Sequence, residues 1–274
     1  MTVSPGTGLA QVDHGQLYYE VAGEGPVVVF VHGGLGDSRM WEPQMPAFAE
    51  RFTAVRFDAR GFGRSSLPSH PYSMVHDLAA LFDALGIERA SVVGLSMGGS
   101  IELEFLLTYP DRVDAGVLAV AGVTGFTGWS PATRAAFDRA EQARQAGDLD
   151  TAAREDLDLW CSMGPDGAGW DLIQQMERDV VATPEEDESL YREPETPTIE
   201  RLEEIRCPVL AITADRDVPE MRDIADLVVS RVPNARHVEI EGADHAVNLR
   251  QPEKFNRVVM EFLLHEVDPE PPSG

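Results

Sequence analysis

ASVVGLSMGGSIELEFLLTY, residues 90–109, is the stretch from which the fold is read. Val92 and Val93 open a short apolar run suited to a buried strand. Gly94-Leu95-Ser96-Met97-Gly98 follows, and then an apolar-rich run of helical length that stops at Pro110. Strand, Gly-x-Ser-x-Gly and helix in succession are the context of a nucleophile elbow. The reason is steric. A serine on so tight a strand-to-helix turn takes a strained backbone, and the chain folds back only if the flanking positions lack bulk. Gly94, Gly98 and Gly99 give that room. The turn lifts the Ser96 hydroxyl off the sheet and aims the first N–H groups of the helix at whatever the hydroxyl attacks. Alone, the pentapeptide fits a chemically silent turn or an anion-binding loop equally well.

Outward from this stretch, towards the N-terminus, residues 27–31 (VVVFV) are an unbroken run typical of a strand buried on both faces of a parallel sheet. Residues 9–22 read as a hairpin turning at His14-Gly15. A helix is expected over 41–50, a strand over 53–57, a helix over 72–85 closed by Gly86, and the elbow strand over 91–95. Beyond the elbow helix, 116–121 is again a short apolar strand. This alternation with short links predicts a mostly parallel sheet with helices on both faces.

From Gly122 the pattern changes. Ser130-Pro131 is a helix start, and 132–146, 148–163 and 170–181 read as helices with no buried strand between them. Residues 183–200 are acidic and proline-punctuated, a surface link. The sheet resumes at 209–213, followed by a helix over 221–232, a strand over 236–240 and a helix over 252–265. The expected organisation is a core of residues 1–122 and 201–265, a helical lid insertion at 123–200, and a disordered tail at 266–274.

Composition narrows the function. The 274 residues carry 22 Lys+Arg against 47 Asp+Glu, a net charge of −25. Such a chain lacks the basic patch on which nucleic-acid affinity rests, and it would not dock on anionic membrane. No apolar run reaches membrane-spanning length, and the first residues carry no charged-then-apolar signal pattern, so a cytoplasmic location is expected. Cys161 and Cys207 fit no metal spacing and are expected to be reduced and inert.

A serine nucleophile needs a base, and the base needs a group that holds its tautomer. Of the seven histidines, His245 is best placed, in Glu241-Gly242-Ala243-Asp244-His245 after the last strand. That loop would emerge at the carboxyl edge of the sheet, where the elbow also opens. The orienting acid should lie at the same edge, where Ala214-Asp215-Arg216-Asp217 follows a strand. Asp217 is the choice and Asp215 the alternative, since an aspartate there is often only a helix cap. The developing oxyanion needs two N–H donors. Met97 supplies one. The other should come from His32-Gly33-Gly34, with Gly34 chosen and Gly33 the alternative.

In sum, the chain resembles an α/β-hydrolase of the cofactor-independent esterase, lactonase and haloperoxidase-like group. The matching segments are His32-Gly33-Gly34, Asp58-x-Arg60-Gly61-x-Gly63-x-Ser65, Gly94-Leu95-Ser96-Met97-Gly98, Asp215-x-Asp217 and Gly242-x-Asp244-His245. They occur in the family's order, including Ser, Asp, His, and span all but the lid and tail. The resemblance implies that the 58–65 segment and His32 are structural and that no metal or cofactor is needed. Ala214 and Asp244 stand where the family commonly has glycine, and Asp244 reads as a surface acid. Serine at 96 sets the chain apart from similar dehalogenases and epoxide hydrolases, which need an aspartate nucleophile. Trp129, Trp160, Trp170, Met163 and Met176 in the lid read first as its own core, and together as the wall of an apolar pocket.

The expected function is a serine hydrolase cleaving a small-to-medium apolar ester or lactone through Ser96, His245 and Asp217. One alternative is a carbon–carbon bond hydrolase acting on a β-diketone or ring-fission product with the same triad. Another is a ligand-sensing protein with little turnover. The expected partner is a small-molecule substrate. Oligomeric state is not legible.

Overall fold

The structure, a computed structural model, describes residues 3–184 and 188–267. The hairpin is β1 (Gly6–Val12) and β2 (Gly15–Ala22), paired antiparallel from Val12 against Gly15. β3 (Val27–Val31), β4 (Thr53–Phe57), β5 (Ala90–Leu95), β6 (Val113–Ala119), β7 (Val209–Ala214) and β8 (Ala235–Ile240) complete one eight-stranded sheet. Its order is β1-β2-β4-β3-β5-β6-β7-β8, with β3 to β8 all parallel and β2 antiparallel to its neighbours.

The β-branched run at 27–31 is buried on both sides, as a central parallel strand must be. Val29 and Val31 enter one apolar core and Val28 and Phe30 the other. The first core is closed by α2 (Met74–Leu85), α3 (Met97–Thr108) and α7 (Pro219–Arg231), through Phe82, Phe105 and Ile224. The second is closed by α1 (Gln44–Phe48) and α9 (Pro252–Val267), through Phe48 and Phe255.

Between β6 and β7 the chain leaves the sheet as α4 (Pro131–Gln145), α5 (Leu149–Trp160) and α6 (Trp170–Val181). Ser130 caps α4 by accepting from the Thr133 N–H, with Pro131 at the first helical position. Three expectations need correction. The helix read over 41–50 is a single turn at Ser38–Trp41 and then the five-residue α1, because Pro43 and Pro46 are each tolerated only in a first turn. A further short helix, α8 (Val247–Arg250), precedes α9. Glu266 and Val267, the first residues of the tail expected at 266–274, belong instead to α9. The rest of that tail, 268–274, lies outside the described residues.

The chain passes from β3 outward to β4 and then crosses to β5 on the other side of β3. Connections therefore leave in opposite directions from β3 and β5. That opens a crevice at their carboxyl ends, where ligands of open α/β sheets bind. The loops after β3, β5, β7 and β8 share this edge.

Candidate active site

Ser96 sits between β5 and α3 with φ 55° and ψ −113°, a left-handed region that costs a non-glycine residue about 1–3 kcal/mol. The surroundings hold it there. Its N–H donates to the Ala119 carbonyl of β6 at 3.0 Å, and its carbonyl accepts from Gly122 at 3.0 Å. A side chain on Gly98 would strike the Val31 carbonyl, and one on Gly99 the Ala121 side chain, so no other residue allows α3 to start this close to the sheet. Met97 opens α3, where a first-turn N–H has no intrahelical acceptor.

Gly34 stands across from this turn, the site of a Cβ there lying 4.0 Å from Met97 Sδ. The neighbouring Gly33 N–H donates to Met40 Sδ at 3.3 Å, which leaves Gly34 as the glycine whose amide that sulfur does not engage. The loop is braced from beneath. His32 Nε2 accepts the Ala59 N–H at 2.9 Å while Nδ1 lies 2.9 Å from the Gly33 carbonyl, the pattern of a neutral ring, and burial lowers its pKa. Asp58 accepts the N–H groups of Ser38 and Arg64 at 2.9 and 2.8 Å.

At the other side of the crevice, His245 Nδ1 lies 2.8 Å from Asp217 Oδ2, both side chains almost fully buried. Asp217 Oδ1 accepts the Val218 N–H. Asp215 does something different: its carboxylate accepts the N–H groups of Gly242 and Ala243 at 2.6 and 3.1 Å, shaping the loop that carries His245. Asp217 touches the imidazole and Asp215 touches the backbone.

Ser96, His245, Gly33 and Gly34 line one cavity, and its other walls are apolar, among them Met40, Leu95, Ile173, Met176 and Leu249. The free space is about 20 Å³, room for about one water. Ile173 and Met176 come from α6, and Met176 Sδ lies 2.9 Å from where a Cβ on Gly36 would stand. The α6 side chains thus crowd the space beside Ser96, which itself stays partly exposed to solvent. Among the described residues no group of three metal-ligating side chains occurs, and no helix is long and apolar enough to cross a membrane.

Two features escaped sequence reasoning. Trp160, at the end of α5, accepts the His245 N–H through its carbonyl at 3.2 Å and lays its ring on the imidazole at 4.3 Å. It also packs edge-on to Trp129, so reading Trp160 as the inserted helices' own core covers only half of its role; of the residues expected to wall an apolar pocket, Met176 lines the cavity at Ser96 and the tryptophans and Met163 do not. Asp244, read as a surface acid, is fully buried. Arg250 pairs with both of its oxygens at 2.9 and 3.0 Å, and the Met163 N–H donates to it at 3.0 Å. The signal was an arginine six residues on, and it becomes readable only once α8 brings Arg250 back beneath the loop. Arg250 also reaches the Ala168 carbonyl, so the ion pair fastens the inserted segment to the histidine loop. Cys161 is buried and Cys207 half-buried, and desolvation raises the pKa of both, which favours the protonated thiol.

Comparison with known proteins points the same way. The model of the alpha/beta hydrolase family matches residues 28–258. A relative from Caulobacter sp. (strain K31) that carries the name carbamate hydrolase RutD is 33% identical over 263 residues, 91% of this chain and 96% of that protein. Carboxylesterase YbfK of Bacillus subtilis (strain 168) is 30% identical over 254 residues, 88% of this chain and 81% of that protein. The crystal structure of the enol-lactonase from Burkholderia xenovorans LB400 superposes with a TM-score of 0.77 at 26% identity, covering 93% of this chain and 99% of that one.

Proposed function

The chain belongs to the alpha/beta hydrolase family, and from that premise we propose that it is a serine hydrolase of small-to-medium apolar esters or lactones. The reading rests on one observation above the others: His245, 2.8 Å from the buried Asp217 carboxylate behind it, lines the same apolar cavity as a serine held at φ 55°. His245 Nε2 takes the Ser96 proton as Oγ attacks the substrate carbonyl. Asp217 keeps the Nδ1 proton in place and stabilises the imidazolium. The Met97 and Gly34 amides hold the oxyanion. The leaving group departs with the proton from His245, and water activated by the same imidazole frees the acyl group from Ser96. The inserted helices act as a lid, with α6 supplying the apolar wall that a substrate displaces.

The cavity wall bears on the alternatives. A carbon–carbon hydrolase acting on a keto-acid needs polar groups beside the serine. None of the five arginines of the inserted helices lines that cavity: Arg134 donates to the Trp129 and Thr127 carbonyls, Arg139 to Glu155, Arg144 to Asp156 and Arg154 to Thr151, and Arg178 is exposed. A carbamate, the bond class in the RutD name, presents a similar carbonyl to the same donors and belongs in the same assay.

A chain-length panel of p-nitrophenyl esters, simple lactones and a carbamate, run with wild type and Ser96→Ala, tests the proposal. Turnover of short acyl esters that falls by about 10⁴-fold or more in the variant is the expected result. Folded wild type with no turnover of any member would sink it and favour a sensing role.

A further inference from the structure

A second cavity, of about 160 Å³, opens beside the first. Met97 lines it, and the Met97 sulfur also stands 4.0 Å from where a Cβ on Gly34, in the wall of the first cavity, would be. The Met97 side chain thus lines the second space and reaches the wall of the first. The second is far roomier than the space of about 20 Å³ at Ser96.

Its lining is chemically mixed. Met97, Ser100 and Glu104 present one face of α3 at helical spacing, and Thr124 and Tyr191 close the opposite side. Glu104 is partly buried and, among the described residues, has no cationic partner. Its charged neighbour is the Glu193 carboxylate, which with burial pushes Glu104 up to about 7. A half-buried carboxylate is ordinarily paired, because removing it from water without a counter-charge is costly. Tyr191 is fixed beside it. Its neighbours Leu190 and Arg192 hydrogen-bond to the Tyr72 backbone at 2.8 Å each, and the two rings pack at 5.6 Å. A carboxylate, the Tyr191 phenol ring, the Ser100 and Thr124 hydroxyls and the thioethers of Met74 and Met97, with Ile101, surround one small space, a lining suited to an alkylammonium ion. The chain's net charge of −25 also draws cations towards its surface.

We propose that this cavity is a subsite for a cationic group, an alkylammonium up to about the size of trimethylammonium, on the substrate cleaved at Ser96, with Glu104 as counter-ion and the Tyr191 ring as its aromatic wall. The proposal rests on the serine-hydrolase reading for the bond that is cleaved. It adds the substrate's far end: an apolar group faces α6, and the positive charge lies beyond Met97.

Two esters of nearly equal shape test it, 2-(trimethylammonio)ethyl acetate and its uncharged counterpart 3,3-dimethylbutyl acetate. Wild type is expected to favour the cationic ester by about tenfold or more in kcat/KM, chiefly through KM, and Glu104→Gln to bring that ratio close to one. Because the ratio is taken within each enzyme, a change in the amount of folded variant does not affect it. Equal rates in wild type, or a preference that survives Glu104→Gln, would overturn the proposal. Calorimetric titration with tetramethylammonium gives a readout free of turnover: binding by wild type that Glu104→Gln loses supports the subsite, and no binding overturns it. An enzyme that binds tetramethylammonium but hydrolyses no p-nitrophenyl ester would contradict the hydrolase reading while keeping the subsite.

Discussion

Trp160 and His245 are joined twice: backbone to backbone at 3.2 Å, and ring on ring at 4.3 Å with a tilt of 36°. The imidazole is therefore held between Asp217 on one edge and an indole on its face. Trp160→Ala removes that face and lets the ring rotate. We expect kcat to fall by about 10- to 100-fold, as small misplacements of a catalytic group do. KM should change little, and Trp160→Phe should restore most of the rate. Steady-state kinetics on a short p-nitrophenyl ester separate this from a lid effect, which would move KM.

Asp217 and Asp215 should part sharply. Loss of the carboxylate that fixes the histidine tautomer costs about 10⁴-fold in a comparable triad, and Asp217→Asn is expected to approach that in kcat. Asp215→Asn weakens the bonds to the Gly242 and Ala243 amides and should lower Tm with a much smaller effect on rate. Equal losses from the two variants would mean that the acid has been misassigned.

Met176 closes the cavity at Ser96 and is almost fully buried. Met176→Ala should shift the preferred acyl chain to longer members of the ester panel. It should also destabilise the protein by about 2–5 kcal/mol, the usual range for truncating a buried methionine. A variant that keeps the wild-type chain-length profile would show that the acyl group does not lie against α6.

Alkaline pH should loosen the inserted helices. Glu177 on α6 is buried against Asp156 of α5, which Arg144 of α4 also reaches. Burial and the Asp156 charge push the Glu177 acid from 4.5 up to about 9. An acid whose pKa is higher folded than unfolded keeps its proton better in the folded state. Its contribution is therefore greatest at or below 4.5 and declines as pH rises to about 9. Tm should fall across that window, and Glu177→Gln, which does not titrate, should flatten the fall. Part of the slope will remain, because burial also raises Glu102 beneath the elbow. An unchanged slope in the variant would contradict the assignment.

Much of this was legible in the chain because it is written locally. The elbow glycines, the apolar strand at 27–31 and the N-cap at Ser130 each specify their structure through neighbours within a few residues. The order of the loops then follows from the handedness of parallel connections. What was not legible depends on distant pairs. Asp244 reads as a surface acid until Arg250 and the Met163 amide are placed beside it. Trp160 reads as core until α5 is seen to end against the histidine loop. The break at Pro43 and Pro46 was local and readable, but the apolar residues around it suggested a continuous helix. The sequence also carries no sign of how narrow the space at Ser96 is, since that depends on how α6 packs across Gly36.

The central claim is that Ser96 is the nucleophile driven by His245. The most direct test is intact-protein and peptide mass spectrometry after brief exposure to a fluorophosphonate, using wild type, Ser96→Ala and His245→Ala. The account predicts one adduct per chain on the peptide containing Ser96, no adduct in Ser96→Ala, and labelling slowed by orders of magnitude in His245→Ala. A label on another residue, or ester hydrolysis that persists in Ser96→Ala at the wild-type rate, would contradict it.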